Sequence, residues 1–245
     1  METVIYTNKL TKKFGNFIAA NELSFEVGKG EIFGFLGANG AGKTTAMRML
    51  CGLLMPSSGE ANVAGFDVYT ETEKIKQNIG YMSQKFSLYE DLTVAENIRF
   101  YAGIYGLSFS DIKIKTEELL TKLDMRSEAK KLVGQLPLGW KQKLAFSVSL
   151  VHNPKIVFLD EPTGGVDPVT RRQFWDLIYY AAGNGVTVFV TTHYMDEAEY
   201  CDRVSIMVDG VIAALDSPEN LKAQMNAPDM EDVFYQLARK ARRSE

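Results

Sequence analysis

Two cysteines, two histidines, two tryptophans and seven prolines are spread over 245 residues, and each shortage closes off a class of protein. Cys51 and Cys201 stand far apart with no C-x-x-C pair, and only His152 and His193 could join them. That set is too sparse for a disulfide framework or a zinc site, and it fits a reducing cytosol. Long apolar runs are missing as well. Ile156-Val157-Phe158-Leu159 and the stretch from Val186 to Val190 break far short of the roughly 20 residues that cross a bilayer. Met1-Glu2-Thr3 puts an acid where a secretory signal carries basic residues, so no export signal is expected. Basic charge is not in excess: Lys and Arg total 27 against 31 Asp and Glu, a net charge of −4. The field that draws proteins onto DNA is therefore absent, and no nucleic-acid partner is expected.

What is present is a globular composition, 46% hydrophobic, sufficient for the core of one α/β unit. Short β-branched and aromatic runs alternate with helical patterns. Strands are expected at Val4 to Tyr6, Leu23 to Val27, Ile32 to Leu36, Ile79 to Tyr81, Ile156 to Leu159, Val186 to Val190, Val204 to Val208 and Val211 to Ala214. Asp209-Gly210 between the last two is a hairpin turn signal. Several of the runs are uniformly apolar, as parallel strands buried on both faces require. Between about residues 93 and 151 the pattern becomes helical, opening on the capping-box sequence Thr93-Val94-Ala95-Glu96. From Asp229 to Arg243 a further helix carries Val233, Phe234 and Leu237 on one face and ends in a basic tail. The expected organisation is one unit over 1–225, with a core of about 1–92 and 152–225, a helical subdomain of about 93–151, and a C-terminal helix and tail over 226–245.

One segment carries explicit chemistry. Gly37-Ala38-Asn39-Gly40-Ala41-Gly42-Lys43-Thr44, followed by Thr45, fits G-x-x-x-x-G-K-[ST] between an apolar strand and a helix start. Such a loop turns successive backbone N–H groups toward one point, where the helix N-terminus adds partial positive charge. Lys43 supplies a full charge for β- and γ-phosphates, and Thr44 a hydroxyl for Mg²⁺. The run Ile156 to Leu159 ends in Asp160-Glu161 at the sheet edge where open α/β folds bind ligands. Asp160 suits Mg²⁺ through water, and Glu161 suits activation of an attacking water.

In these motifs and their order, from Leu10 to Leu221, the chain resembles the ABC ATPases. The resemblance implies a P-loop NTPase core with a RecA-like mixed sheet, an N-terminal antiparallel β portion and an inserted helical subdomain. It also implies an ATPase that powers a membrane transporter. Gln84 matches the family's Q-loop glutamine, at the joint between subdomains and in contact with Mg²⁺. Phe14 matches the aromatic that stacks on adenine. Glu161-Pro162-Thr163-Gly164-Gly165-Val166-Asp167-Pro168 is similar to the segment in which Asp167 reaches the opposing subunit, and Thr191-Thr192-His193 is similar to the switch whose histidine contacts the γ-phosphate. His152 matches no motif and is expected to be structural.

The signature segment departs from the family pattern Leu-Ser-Gly-Gly-Gln. It reads Leu136-Pro137-Leu138-Gly139-Trp140-Lys141-Gln142-Lys143, which lacks the serine hydroxyl, and Pro137 has no N–H. The amides of Leu138 and Gly139 and the helix dipole remain for the trans γ-phosphate. This variant and Tyr194-Met195-Asp196-Glu197-Ala198-Glu199 resemble subunits of bacterial ABC-2-type drug or ion exporters. The implied partners are transmembrane permease subunits and a second ATPase subunit, identical or different, with the chain cytoplasmic and peripheral on the inner face of the membrane. Lys85-Phe86-Ser87-Leu88-Tyr89 would line the groove for a permease helix. An ABC ATPase of DNA repair or the ribosome is the alternative, disfavoured by the short stretch between Gln84 and Leu136 and by the acidic charge. A GTPase is disfavoured because Asn8-Lys9-Leu10-Thr11 precedes the phosphate loop and lacks the guanine-reading aspartate.

Overall fold

The computed structural model describes residues 2–85 and 87–240. The expectations placed on Phe86 and on the tail beyond residue 240 fall outside the described residues. Strands β1 (Thr3–Phe14) and β2 (Phe17–Gly28) form a long hairpin. After β3 (Ile32–Leu36) come α1 (Lys43–Leu50), β4 (Ser58–Val63), β5 (Phe66–Asp67), α2 (Thr72–Asn78) and β6 (Ile79–Met82). Helices α3 (Val94–Ile104), α4 (Phe109–Lys122) and α5 (Leu138–Ser149) follow. The chain then runs through β7 (Ile156–Asp160), α6 (Pro168–Gly183), β8 (Thr187–Thr192), β9 (Arg203–Val208), β10 (Val211–Asp216), α7 (Pro218–Met225) and α8 (Met230–Lys240).

Two sheets result, one in the order β2-β1-β4-β5 and one in the order β10-β9-β3-β8-β7-β6. The first is antiparallel. The second is parallel except for β10, which returns along β9 through Asp209 and Gly210, both at positive φ as a type I′ turn demands. Every residue of β3, β7 and β8 is buried, which suits the apolar runs Ile32 to Leu36, Ile156 to Leu159 and Val188 to Val190 within them. The mixed sheet with a separate antiparallel portion is the architecture expected from the sequence.

The first two strands are longer than their sequence suggests, because bulges interrupt the period-two pattern where Lys9 and Glu22 take positive φ. The pair β4 and β5 and helix α2 have little sequence signal. Ala61 and Val63 alone are buried in β4, and Ile75 alone in α2.

Three apolar clusters hold these layers. Between the sheets, Phe25, Phe33, Phe35, Phe158 and Phe189 interlock with ring centroids 5.3–6.2 Å apart. The opposite face of the parallel sheet is covered by Phe174, Trp175 and Ile178 of α6 and by Met230, Val233 and Leu237 of α8. A third cluster joins Val94, Ile98, Leu120, Leu136, Leu144 and Val148 around α3, α4 and α5. The capping box closes at α3, with Glu96 N donating to Thr93 Oγ1 at 3.2 Å and Thr93 N to Glu96 Oε2 at 2.8 Å. Such a cap contributes about 1 kcal/mol. His152 stacks on Tyr105, with ring centroids 3.7 Å apart, and its Nε2 lies 3.0 Å from the Ile79 carbonyl, a packed role outside the site.

Candidate nucleotide site

The register of the parallel sheet brings distant sequence motifs to one edge. Met82 pairs with Leu159, Asp160 with Thr191, and Thr192 with Leu36. Gln84, Glu161, His193 and Gly37 therefore leave the carboxyl ends of four neighbouring strands side by side. This is the crevice at which open α/β sheets bind ligands.

Glu161 is the hub of that edge. Its Oε1 stands 3.4 Å from Lys43 Nζ, while Oε2 accepts from Gln84 Nε2 at 3.1 Å and lies 3.1 Å from His193 Nδ1. Three loops thus meet on one carboxylate. Glu161 takes φ 48, a left-handed conformation costing about 1–3 kcal/mol in a non-glycine residue. Its N–H is pinned there by the carbonyl and hydroxyl of Thr191, each at 3.1 Å. Thr191 Oγ1 also donates to Asp160 Oδ1 at 2.8 Å, so one buried threonine holds both acids. Gln142 of α5 donates to the carbonyl of Pro162, tying the same turn to the helical layer.

The loop between β3 and α1 has the shape of an anion cradle. Gly42 has φ +103, and a Cβ on it would lie 2.1 Å from the carbonyl of Ala19; one on Gly37 would lie 2.4 Å from that of Met207. Only backbone fits there. Ala38, Asn39 and Gly40 are exposed, and α1 begins without a side-chain cap, which leaves first-turn amides for a ligand. Lys43 is buried, with Nζ donating to the carbonyls of Gly37 at 2.7 Å and Ala38 at 3.2 Å. Burial lowers its pKa, opposed by the negative charges of Glu161 and Asp160. A buried ammonium held by the loop's own carbonyls, beside exposed loop backbone, fits a polyphosphate. Thr44 Oγ1 and Asp160 Oδ1 lie 3.3 Å apart, an oxygen pair suited to Mg²⁺, which takes few protein ligands and completes its shell with phosphate and water. Thr45 follows in the first turn of α1.

Among the described residues, the remaining sequence candidates make no hydrogen bond or ion pair with this cluster, although Leu138 lines one cleft with Gln84. Phe14 ends β1 at the hairpin tip, 50% exposed, with Lys12 Nζ 5.1 Å from its ring centroid. Its strand partner β2 continues to Ala19, whose carbonyl abuts Gly42, so the tip extends past the cradle. Leu136 is buried, Pro137 is the uncapped N-cap of α5, and Leu138 is 43% exposed. At Gly139 a Cβ would lie 2.7 Å from Thr170 Cγ2, so α5 and α6 approach closely. Asp167 caps α6, accepting from Val169 N at 3.0 Å and Thr170 N at 3.1 Å. The Thr170 hydroxyl, ahead of these amides, holds its carboxyl below the usual range.

Thr191, Gln142 and the buried Glu197 stand in the sequence only as members of longer motif segments, with no role of their own. A threonine at a strand end is common enough to carry no signal by itself. Its meaning comes only from the register that sets it beside Asp160.

The sequence profile of the family described as ABC transporter matches residues 20–164, more than half of the chain. This chain belongs to the ABC transporter family. The relatives it matches are named as ATP-binding proteins or as an ATPase. Over 241 residues it is 51% identical to the probable multidrug ABC transporter ATP-binding protein YbhF of Escherichia coli (strain K12), covering 96% of this chain and 42% of the relative. It is 34% identical to the linearmycin resistance ATP-binding protein LnrL of Bacillus subtilis (strain 168), over 96% of this chain and 74% of the relative. A third relative, the phospholipid-transporting ATPase ABCA3 of Mus musculus, is 37% identical over 93% of this chain and 14% of its own length. This ABC unit therefore spans under half of YbhF and a small part of ABCA3. Among solved structures, cbiO1 from Clostridium perfringens aligns with a TM-score of 0.83 at 26% identity, over 92% of each chain. The ATP binding subunit of another ABC transporter aligns at 0.85 over 96% of this chain and 99% of its own, and at 24% identity that likeness is one of fold.

Proposed function

We propose that this ABC unit hydrolyses Mg·ATP at the strand-end edge to drive a membrane exporter, with Glu161 as the general base. The observation that carries the proposal is the convergence of Lys43, Gln84 and His193 on the Glu161 carboxylate. Lys43 and the loop amides hold the β- and γ-phosphates. Thr44, Asp160 and Gln84 would hold Mg²⁺, which when bound offsets charge on the phosphate oxygens. Glu161 takes a proton from a water whose oxygen attacks the γ-phosphorus; the bond to the ADP oxygen breaks, and phosphate and ADP leave. His193, on the same carboxylate, would contact the γ-phosphate. Phe14 offers its exposed ring to adenine.

Turnover needs a second ATPase subunit in this reading, which would bring its own Leu136, Pro137, Leu138, Gly139 and Asp167 to the γ-phosphate held in this chain's cradle. The transport path lies in transmembrane permease segments. Among the described residues no helix is long and apolar enough to cross a membrane. Tyr89 is 46% exposed beside the ring of Phe100, 4.8 Å away, and with Ile104 it offers an apolar surface next to the Gln84 segment. That surface would receive the permease on the cytoplasmic side of the membrane. The drug-related names of YbhF and LnrL support efflux over uptake.

Glu161→Gln tests the chemistry. A general base contributes about 10²–10⁴-fold, so turnover of the purified chain, alone or with its membrane partner, is expected to fall by about a thousandfold while Mg·ATP binding persists. Undiminished turnover would remove Glu161 from the role of base.

A further inference from the structure

A buried carboxylate that the hydrolysis does not use joins the loop after Glu161 to the loop after His193. Glu197 lies in the 3-10 turn Met195–Tyr200 and is 0% exposed. Thr163 Oγ1 donates to it, Arg171 Nε stands 3.6 Å from its Oε1, and the side chains of Thr192 and Trp175 also face it. Burial pushes its pKa up, and those donors together with the Arg171 charge oppose the shift. A carboxylate so enclosed persists only while its partners stay in place.

Arg171 extends the linkage in both directions. Its backbone N–H donates to the carbonyl of Asp167 at 2.9 Å, in the first turn of α6. Its Nη1 donates to Asp196 Oδ2 at 3.3 Å, and the guanidinium lies 4.2 Å from the centroid of the Tyr194 ring. The Tyr194 ring in turn packs 4.2 Å from that of His193. A continuous set of contacts thus runs from Asp167, on the outward turn of α6, through Arg171 and Tyr194 to His193 at the phosphate edge. The fork of a guanidinium, which can pair with two carboxylates and cover an aromatic face at once, is what an ammonium lacks.

We infer that Arg171 and Glu197 are positioning residues that lock His193 to the α6 turn bearing Asp167, so that contact by a second subunit at Asp167 sets the orientation of the histidine. The inference rests on the reading of His193 and Asp167 given above. The test uses the full chain as wild type, Arg171→Met, Arg171→Lys, Glu197→Gln and Asp196→Asn. For each, amide hydrogen exchange over residues 193–200 is followed by mass spectrometry, with Mg·ATP affinity and kcat measured in parallel. Arg171→Met and Glu197→Gln are expected to speed exchange in that segment about tenfold and lower kcat about tenfold, with affinity within about threefold of wild type. Arg171→Lys should fall between them and wild type. Asp196→Asn should change neither measure, because Asp196 is 69% exposed and contributes only a rim contact.

Unchanged exchange over 193–200 in Glu197→Gln or Arg171→Met would overturn the inference, as would a fall in kcat matched by an equal fall in affinity. If Arg171→Met does not fold, the near-isosteric Glu197→Gln and the charge-conserving Arg171→Lys decide by the same criteria. His193→Ala separates the two readings. Full turnover in that variant would remove the histidine from the chemistry while leaving the exchange coupling intact, whereas slowed turnover with unchanged exchange in the Arg171 variants would remove the coupling alone.

Discussion

The strand-end edge and the face carrying Pro137 and Asp167 are built on opposite plans. At the edge, Lys43, Thr44, Gln84, Asp160, Glu161 and His193 each have a side-chain partner of this same chain within 3.5 Å. At the face, Leu138 and Val169 point outward, and α5 opens without a side-chain cap. The edge is fixed internally by a parallel sheet that sets its register to within a residue. The face consists of two helix starts, α5 and α6, that approach closely at Gly139 and Thr170 and leave their outer surfaces exposed. In the proposed reading, the outward face of a second subunit would close over a phosphate bound at the edge.

The contrast can be broken most severely at the edge. Gly42→Ala would add a Cβ to a left-handed residue 2.1 Å from the Ala19 carbonyl. The expected outcome is a loss of about 2–4 kcal/mol, read as a fall of roughly 5–15 °C in Tm, together with loss of nucleotide binding in equilibrium titration. Unchanged Tm and binding would show that the cradle is looser than its geometry implies. At the face the expected effect is smaller and of opposite sign. Pro137→Ser returns an N–H and a hydroxyl to the start of α5, and a hydrogen bond to a charged group is worth about 1.5–3 kcal/mol. ATP-dependent dimerisation of the Glu161→Gln chain, measured by sedimentation, is expected to tighten about tenfold or more when Pro137→Ser is added. No change would mean that the segment does not reach the partner's phosphate. The mildest effect is expected at the hairpin tip, where Phe14→Ala removes an aromatic stack worth about 0.5–1.5 kcal/mol and should weaken ATP affinity by about three- to tenfold. Equal binding by wild type and variant would return Phe14 to an ordinary surface role.

The same contrast separates what the amino-acid sequence discloses from what it hides. The parallel strands and the phosphate loop are legible because burial on both faces leaves unbroken apolar runs and because a backbone cradle requires glycines at fixed places. Asp160 and Glu161 could be named because they directly follow such a run, whereas His193, two threonines beyond Val190, is legible only through the family resemblance. By contrast, β4 and α2 bury so few side chains that no periodicity develops, and bulges at Lys9 and Glu22 hide most of the first hairpin. The role of Thr191 and the enclosure of Glu197 depend on partners about 30 residues away, Asp160 and Thr163. Pairings of that kind arise from tertiary register and leave no local pattern.

The most direct test of the central claim is a calorimetric titration of the folded chain with Mg·ATP, paired with the same titration of Lys43→Ala. Removing an ammonium that meets the triphosphate inside a buried loop is expected to weaken binding by about a hundredfold, close to 2.7 kcal/mol. Saturable binding at one site per wild-type chain with that loss in the variant is the predicted result. No uptake by the wild-type chain, or equal affinity in Lys43→Ala, would contradict the account.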